Sequence, residues 1–400
     1  MMSVVDVALT LGLLVLLVPS AVLFVECAAA LLASRKPPWR ARLSSDPRVV
    51  VMVPAHDERK LISSSLEGMK SELGPGDRLL VVADNCSDRT AEIARAVGAE
   101  VIERFDPVHR GKGFALDFGI AHLASDPPDV VVIVDADCHV APGSIRRLAE
   151  CATLHHRPAQ AQDLLTVPRG AAPLAAVSAL AFLVRNHVRP TGLRQLGLPC
   201  HLMGTGMAFP WDVIRSAPPA GSHLAEDIQM GIELASLGFP PVYCATARIT
   251  SAPPKRTEAV RGQRRRWEHG HISTLIHRAP QLIWRGLTRR RLPLLTMALD
   301  LVVPPLALLV TLLILGTGLT FLWWRLGGSS LPLAVSMIEF GLVGTAVFSA
   351  WLKYGRQTLP ARYLLMIPFY VVWKLPLYLS FVTRGPAHNW ERAERSASGF

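Results

Sequence analysis

The run from Val7 to Ala33 carries a single charge, Glu26, and a soluble fold has little use for so long an apolar segment. About 20 consecutive apolar residues cross the hydrocarbon of a bilayer, so this run can span it with tilt. A cleavable signal peptide needs a basic start and a shorter apolar stretch, whereas this chain opens Met1-Met2-Ser3-Val4-Val5-Asp6. Residues 1–34 therefore read as an uncleaved anchor. Arg35, Lys36, Arg40 and Arg42 follow, and the positive-inside rule puts that flank in the cytoplasm.

Three further runs make residues 292–383 a C-terminal membrane region. Leu292 to Trp324 contains Asp300 and Pro304-Pro305, Leu331 to Trp351 contains Glu339, and Tyr363 to Val382 contains Pro368, Lys374 and Pro376. The first two read as spans. The third either spans or lies in the interface, because crossing would leave the tail, 384–400 with Arg384, Arg392 and Arg395, on the outer side. Arg285 and Arg289 to Arg291 before the first run, and Lys353, Arg356 and Arg362 after the second, mark cytoplasmic loops. Trp323 and Trp324 suit an interfacial belt. Glu26 and Lys374, near run ends or prolines, read as interface residues, and Asp300 stays open between interface and function.

Composition agrees. Half the residues are apolar and 18% are charged, against about 25% in ordinary soluble chains. That excludes disorder for most of the chain and excludes a purely soluble globule. The net charge of +11 sits beside membrane segments, so topology and anionic headgroups account for it better than nucleic acid. Cys27, Cys86, Cys138, Cys151, Cys200 and Cys244 form no CxxC pair and read as small buried residues of a reducing compartment.

Between the membrane regions, residues 45–285 change grammar. Arg48 to Val53 is a β-branched run ended by Pro54, as for a strand buried on both faces. Glu58 to Leu73 has helical spacing, Arg78 to Ala83 reads as a strand and Thr90 to Val97 as a helix. Val101-Ile102, Gly113 to Leu123 and Val130 to Val134 add strand, helix and strand. This alternation predicts a mostly parallel sheet with crossover helices, a Rossmann-like α/β domain that binds ligands at the carboxyl ends of its strands. Ala175 to Val188 is amphipathic and suits either the bilayer surface or the core.

Acidic residues gather at those strand ends: Asp57-Glu58 after the first, Asp84 after the second, Asp135-Ala136-Asp137 after the fourth. Carboxylates crowded on one edge repel unless a cation lies among them. A hard divalent ion bridging to a diphosphate removes that repulsion. Lys112, between Gly111 and Gly113, can add positive charge to the same phosphates. Each motif alone is equally a turn or an exposed loop; their conjunction at three strand ends points to a site.

The motifs Val53-Pro54-Ala55-His56-Asp57-Glu58, Asp84-Asn85-Cys86-Ser87-Asp88, Arg110-Gly111-Lys112-Gly113, Asp135-Ala136-Asp137, Glu226-Asp227 and Gln263-Arg264-Arg265-Arg266-Trp267 occur in the order of one family. Over residues 48 to 270 the chain resembles the membrane-bound family 2 glycosyltransferases, among them cellulose, chitin, hyaluronan and poly-N-acetylglucosamine synthases and ceramide glucosyltransferase. The resemblance implies a cytoplasmic GT-A domain flanked by transmembrane helices, and inverting transfer from a nucleotide-diphosphate sugar. By position, Pro54, Ala55, Glu58 and Asp84 resemble the nucleotide pocket, with Lys112 near base or diphosphate. Asp135 and Asp137 resemble the pair that holds nucleotide and Mg2+ or Mn2+. Asp227, with Glu226, resembles the general base. Gly204, Thr205 and Gly206 resemble the acceptor loop, and Gln263, Arg266 and Trp267 the diphosphate clamp and acceptor platform. His56-Asp57 replaces the common Tyr-Asn, Cys86 a usual glycine, and Ala225 the Thr frequent in polymer-forming members.

The implied reaction needs positive charge where the β-phosphate leaves and a carboxylate that takes the acceptor's proton. Glu226-Asp227 serves equally as a helix cap, and Trp267 equally as a core or interfacial residue. The expected function is sugar transfer onto a growing exopolysaccharide or oligosaccharide in the cell membrane, as a homo-oligomer or with polysaccharide-assembly partners. A glycolipid synthase adding one sugar to a membrane lipid is the alternative. A non-catalytic nucleotide-sugar-binding subunit is the reading from another class.

Overall fold

The computed structural model describes residues 3–33, 45–166, 172–221, 225–253 and 257–385. The basic residues behind the first apolar run, and Arg392 and Arg395 of the tail, lie outside them. The chain divides into two units, one of Ser34–Pro168, Leu198–Gly270 and His388–Phe400, the other of Met1–Ala33, Arg169–Gly197 and His271–Ala387. Arg169–Gly197, with the amphipathic stretch, and His271–Ala387 fall in the unit that holds the apolar helices.

The first unit is built on one mixed, mostly parallel sheet. Its strands are β1 (Val49–Ala55), β2 (Arg78–Asp84), β3 (Glu100–Arg104), β4 (Val130–Ile133), β5 (Cys138–Val140), β6 (Ala159–Leu165), β7 (Met207–Pro210) and β8 (Val242–Ser251). They lie in the order β3-β2-β1-β4-β7-β6-β8-β5. β1 pairs in parallel with β2 and β4, and β2 with β3. Side chains alternate across a strand, and here both faces are covered. Val49, Val51 and Val53 pack with Ile62, Leu66 and Met69 of the helix Ile62–Lys70. Val50 and Met52 pack on the other face with Leu116 and Leu123 of the helix Lys112–Leu123. That explains the unbroken β-branched runs.

Parallel pairing brings the ends of β1, β2 and β4 to one edge. β7 runs antiparallel to β4 with Met207 opposite Ile133, so residues 203–206 enter at the edge where β4 leaves. β6 pairs with β7 through Gln160 and Met207, which brings its start to the same place.

The other unit holds helices Val4–Leu32, Leu306–Arg325, Leu331–Gly355 and Ala361–Arg384, each long and apolar enough to cross a membrane. The run read as one span from Leu292 is interrupted. Its helix stops at Leu301 and restarts at Leu306, because Pro304 and Pro305 lack the amide protons a continuing helix requires. The third C-terminal run is helical and of spanning length.

Glu26 and Lys374 are both buried within the protein. Arg189 donates from Nε to the Glu26 carboxylate at 2.6 Å and from Nη2 to the Asp300 carbonyl at 2.7 Å, and pairs with the Asp300 carboxylate as well. Burial alone would weaken the Arg189 cation, but the two carboxylates hold it fully charged. Gly192 lets this contact form, since a Cβ there would lie 1.9 Å from the Glu26 carbonyl oxygen. Lys374 is buried over the rings of Tyr370 and Trp373. Trp323, expected at the interface, donates from Nε1 to Asp6 at 2.8 Å. Lys353 donates to the carbonyls of Ala30 and Leu31 at 3.0 and 2.7 Å, capping the first apolar helix.

Candidate active site

The carboxyl edge of the sheet carries a connected group of charges. Lys112 opens its helix after Gly111, whose φ of 134° few side chains tolerate. Its ammonium pairs with the Asp135 carboxylate and donates to the Gly204 carbonyl at 2.6 Å. Burial would lower the pKa of this ammonium, yet the carboxylates of Asp135, Glu226 and then Asp227 raise it, and it stays charged.

Asp227 approaches the same point from the other side. Gly204 sits at φ 86°, and a Cβ there would lie 3.4 Å from the Asp227 carboxylate and 3.8 Å from the Lys112 nitrogen. Asp227 and Glu226 occupy the first turn of the helix Glu226–Leu237, where the helix dipole favours negative charge. Burial and the adjacent Asp227 carboxylate nevertheless push Glu226 up to about 7.

Asp135, Asp137 and Cys138 offer ligand atoms that all lie within 4.8 Å of one another. Burial, then Asp137 and Asp135, push the Cys138 thiol well above its ordinary pKa. It therefore remains a neutral thiol, and a hard cation would take the two carboxylates. The residues present fit a divalent metal.

The expected acceptor loop is locked onto this edge. The Asp135 amide donates to Thr205 Oγ1 at 3.1 Å, and the Gln160 side chain donates to the Thr205 carbonyl at 2.9 Å and accepts from the Met203 amide at 2.8 Å. Gly206, at φ 65°, has no room for a side chain: a Cβ would lie 2.7 Å from Ile249 and 2.9 Å from Ala161. Sequence reasoning missed Gln160. Its signal was the alternation Ala159-Gln160-Ala161-Gln162 in β6, in which Gln160 is itself buried.

At the neighbouring strand ends, Pro54 and Ala55 close β1, and Glu58 lies beyond it, partly exposed. Asp84 closes β2, buried and paired with Arg104 at 2.6 Å. Arg104 also reaches Asp106 at 3.2 Å, a second partner the sequence reading did not name. Gln263, Arg266 and Trp267 share one turn of the helix Thr257–Thr288, with Gln263 buried and Trp267 38% exposed. Direct contacts join Lys112, Asp135, Gly204 and Thr205, with Asp137 and Asp227 beside them. Elsewhere, His269 and His271 are buried, and His271 Nε2 lies 3.1 Å from the Val303 carbonyl.

A mixed sheet with carboxylates at the strand ends, a lysine among them and a glycine loop opposite defines a nucleotide-sugar transferase type of fold, GT-A. The family model described as glycosyltransferase like family 2 matches residues 47–270, more than half of the chain, and the chain belongs to that family. The mannosyltransferase PcManGT from Pyrobaculum calidifontis, solved in complex with GDP-Man and Mn2+, shares the fold, with a TM-score of 0.51 over 92% of this chain and 99% of that one at 16% identity. The probable glycosyltransferase YdaM of Bacillus subtilis is 36% identical over 109 residues, 25% of each chain. The probable glucomannan 4-beta-mannosyltransferase 10 of Arabidopsis thaliana is 25% identical over 276 residues, 60% of this chain and 47% of its own length. The chain thus spans a quarter to about half the length of these two relatives.

Proposed function

We propose that this chain is a membrane-embedded, inverting glycosyltransferase that moves a hexosyl group from a nucleotide-diphosphate sugar to a growing exopolysaccharide or oligosaccharide, with its sheet domain on the cytoplasmic side. The observation that carries the reading is the Lys112 ammonium held by Asp135 and the Gly204 carbonyl, with Asp227 against the same glycine. Family membership supports the donor class, and four helices of spanning length support the membrane.

In this reading the nucleoside lies along Pro54, Ala55, Glu58 and Asp84, and the diphosphate reaches Lys112. Mg2+ or Mn2+ on Asp135 and Asp137 would supply positive charge beside the diphosphate. Arg266 adds a guanidinium there, and Gln263 and Trp267 face the sugar and acceptor. Gly204, Thr205 and Gly206 shape the acceptor side. Asp227 takes the proton of the acceptor hydroxyl as it attacks C1, while the bond from C1 to the phosphate oxygen breaks on the opposite face. A single displacement of this kind inverts the anomeric centre. Glu226 sets the charge around Asp227. Removing the proton acceptor costs roughly 100-fold to 10,000-fold in rate.

The test incubates membranes containing the full chain with labelled nucleotide sugars. Transfer to product by wild type, and its loss in Asp227→Asn with nucleotide binding retained, is the expected result. Undiminished turnover in Asp227→Asn removes the proposed base. A lipid acceptor is the second reading, favoured by the small number of spanning helices among the described residues. It predicts one sugar on extractable lipid where the first predicts a polymer ladder.

A further inference from the structure

We propose that Asp117 is a positioning residue for Asp227: by holding the chain at Ala220 and Gly221, it fixes the first turn of the helix that carries the base. The proposal rests on the assignment of Asp227 as base above and adds a residue which that assignment does not use.

The helix Lys112–Leu123 meets the Asp227 side of the edge through three residues. Lys112, its first, lies within electrostatic reach of Glu226 and Asp227. Gly113, its second, lies against the Gly221 carbonyl. A Cβ there would stand 2.2 Å from that oxygen, so only glycine allows the approach. Asp117, one turn on, accepts from the Ala220 amide on Oδ1 at 3.0 Å and from the Gly221 amide on Oδ2 at 3.2 Å. Both carboxylate oxygens are thus committed to one peptide segment, and bonds to an ionised acceptor are roughly twice as strong as neutral ones.

Packing joins the held segment to the helix that carries the base. Ala220 is buried in one cluster with Leu116 of the first helix and with Met230 and Leu234 of the helix Glu226–Leu237. That second helix needs an outside hold at its start. Its N-cap is Ala225, which makes no side-chain cap bond and has no oxygen to offer the open amides. Its buried residues begin at Ile228, so Glu226 and Asp227 stand ahead of the packed part, where helix ends fray. With Asp117 gripping Ala220 and Gly221, the Asp227 carboxylate and the Lys112 ammonium are both set by one rigid element. A misplacement of about 1 Å at reacting groups costs roughly 100-fold in rate, so a carboxylate that touches only peptide amides acts on kcat.

The experiment measures transfer by the full chain in membranes, with the labelled nucleotide sugar that wild type turns over, and counts sites by nucleoside diphosphate binding. Asp117→Ala should lower kcat per site about 10-fold to 100-fold and leave KM for the donor within about twofold. Added to Asp227→Asn it should cost less than about twofold more, because the base it serves is already gone. Asp117→Asn keeps an acceptor for one of the two amides and should fall between Asp117→Ala and wild type. Wild-type kcat in Asp117→Ala, or the same loss in both backgrounds, makes Asp117 a purely structural residue; the proposal then falls while Asp227 keeps its role. Loss of nucleotide binding in both Asp117 variants overturns it too. A fully active Asp227→Asn removes the base assignment itself, and this proposal with it.

Discussion

The Lys112 ammonium donates to the Gly204 carbonyl at 2.6 Å while pairing with Asp135. One cation thus ties the start of a helix, the end of β4 and the loop before β7 together. Lys112→Met should remove one positive charge from beside Asp135, Glu226 and Asp227 and cost about 1–3 kcal/mol of stability. Nucleoside diphosphate affinity should fall about tenfold. Thermal unfolding and calorimetric titration of the purified protein measure both, and wild-type values in each would remove Lys112 from the site.

Asp137→Ala should abolish sugar transfer and with it any response to added Mg2+ or Mn2+, because Asp135 alone is a poor hold for a hard cation. Activity assays of wild type with and without EDTA provide the comparison. Transfer that persists in excess chelator excludes a metal role for this pair.

Glu226 is held at about 7, whereas an exposed glutamate titrates near ~4.3. Between those values the folded protein keeps a proton that the unfolded chain has released, so stability falls as pH rises through the window. Glu226→Gln carries no such proton and should reduce the fall by about 3–4 kcal/mol. Melting temperatures at either end of the window, without nucleotide, read this directly. Equal slopes in the two proteins would mean that Glu226 is ordinary.

Arg189→Met should destabilise the helical unit by about 3–5 kcal/mol, since Glu26 and Asp300 would remain buried without their cation. Replacing all three, as Glu26→Gln, Arg189→Met and Asp300→Asn, should recover most of that loss. Stability in detergent measures the pair of variants. A single Arg189→Met of wild-type stability would show that the three groups are not coupled.

Much of this was legible in the residues because the relevant signals are local. The run Val49 to Val53 states a strand buried on both faces, and Asp135 and Asp137 mark the end of another. Pro304-Pro305 was visible too, but the apolar residues on either side outweighed it, and the helix break went unread. The Arg189 cluster could not be read at all. Its members lie far apart in the chain, and charge pairing over such separations leaves no pattern in a window of sequence. Gln160 failed for a related reason: its value lies in backbone groups of a distant loop, and polar letters in a strand do not say what they face.

The tethering of residues 203–206 by Gln160 and Thr205 has a consequence for recognition. A receptacle formed in advance needs no folding upon its guest, so encounter brings little entropic penalty. Selectivity at such a surface arises from steric exclusion. If the proposed acceptor role of this loop holds, altered preference among acceptors is then to be sought by reshaping the rim around these residues, since loosening them would sacrifice affinity for every guest alike.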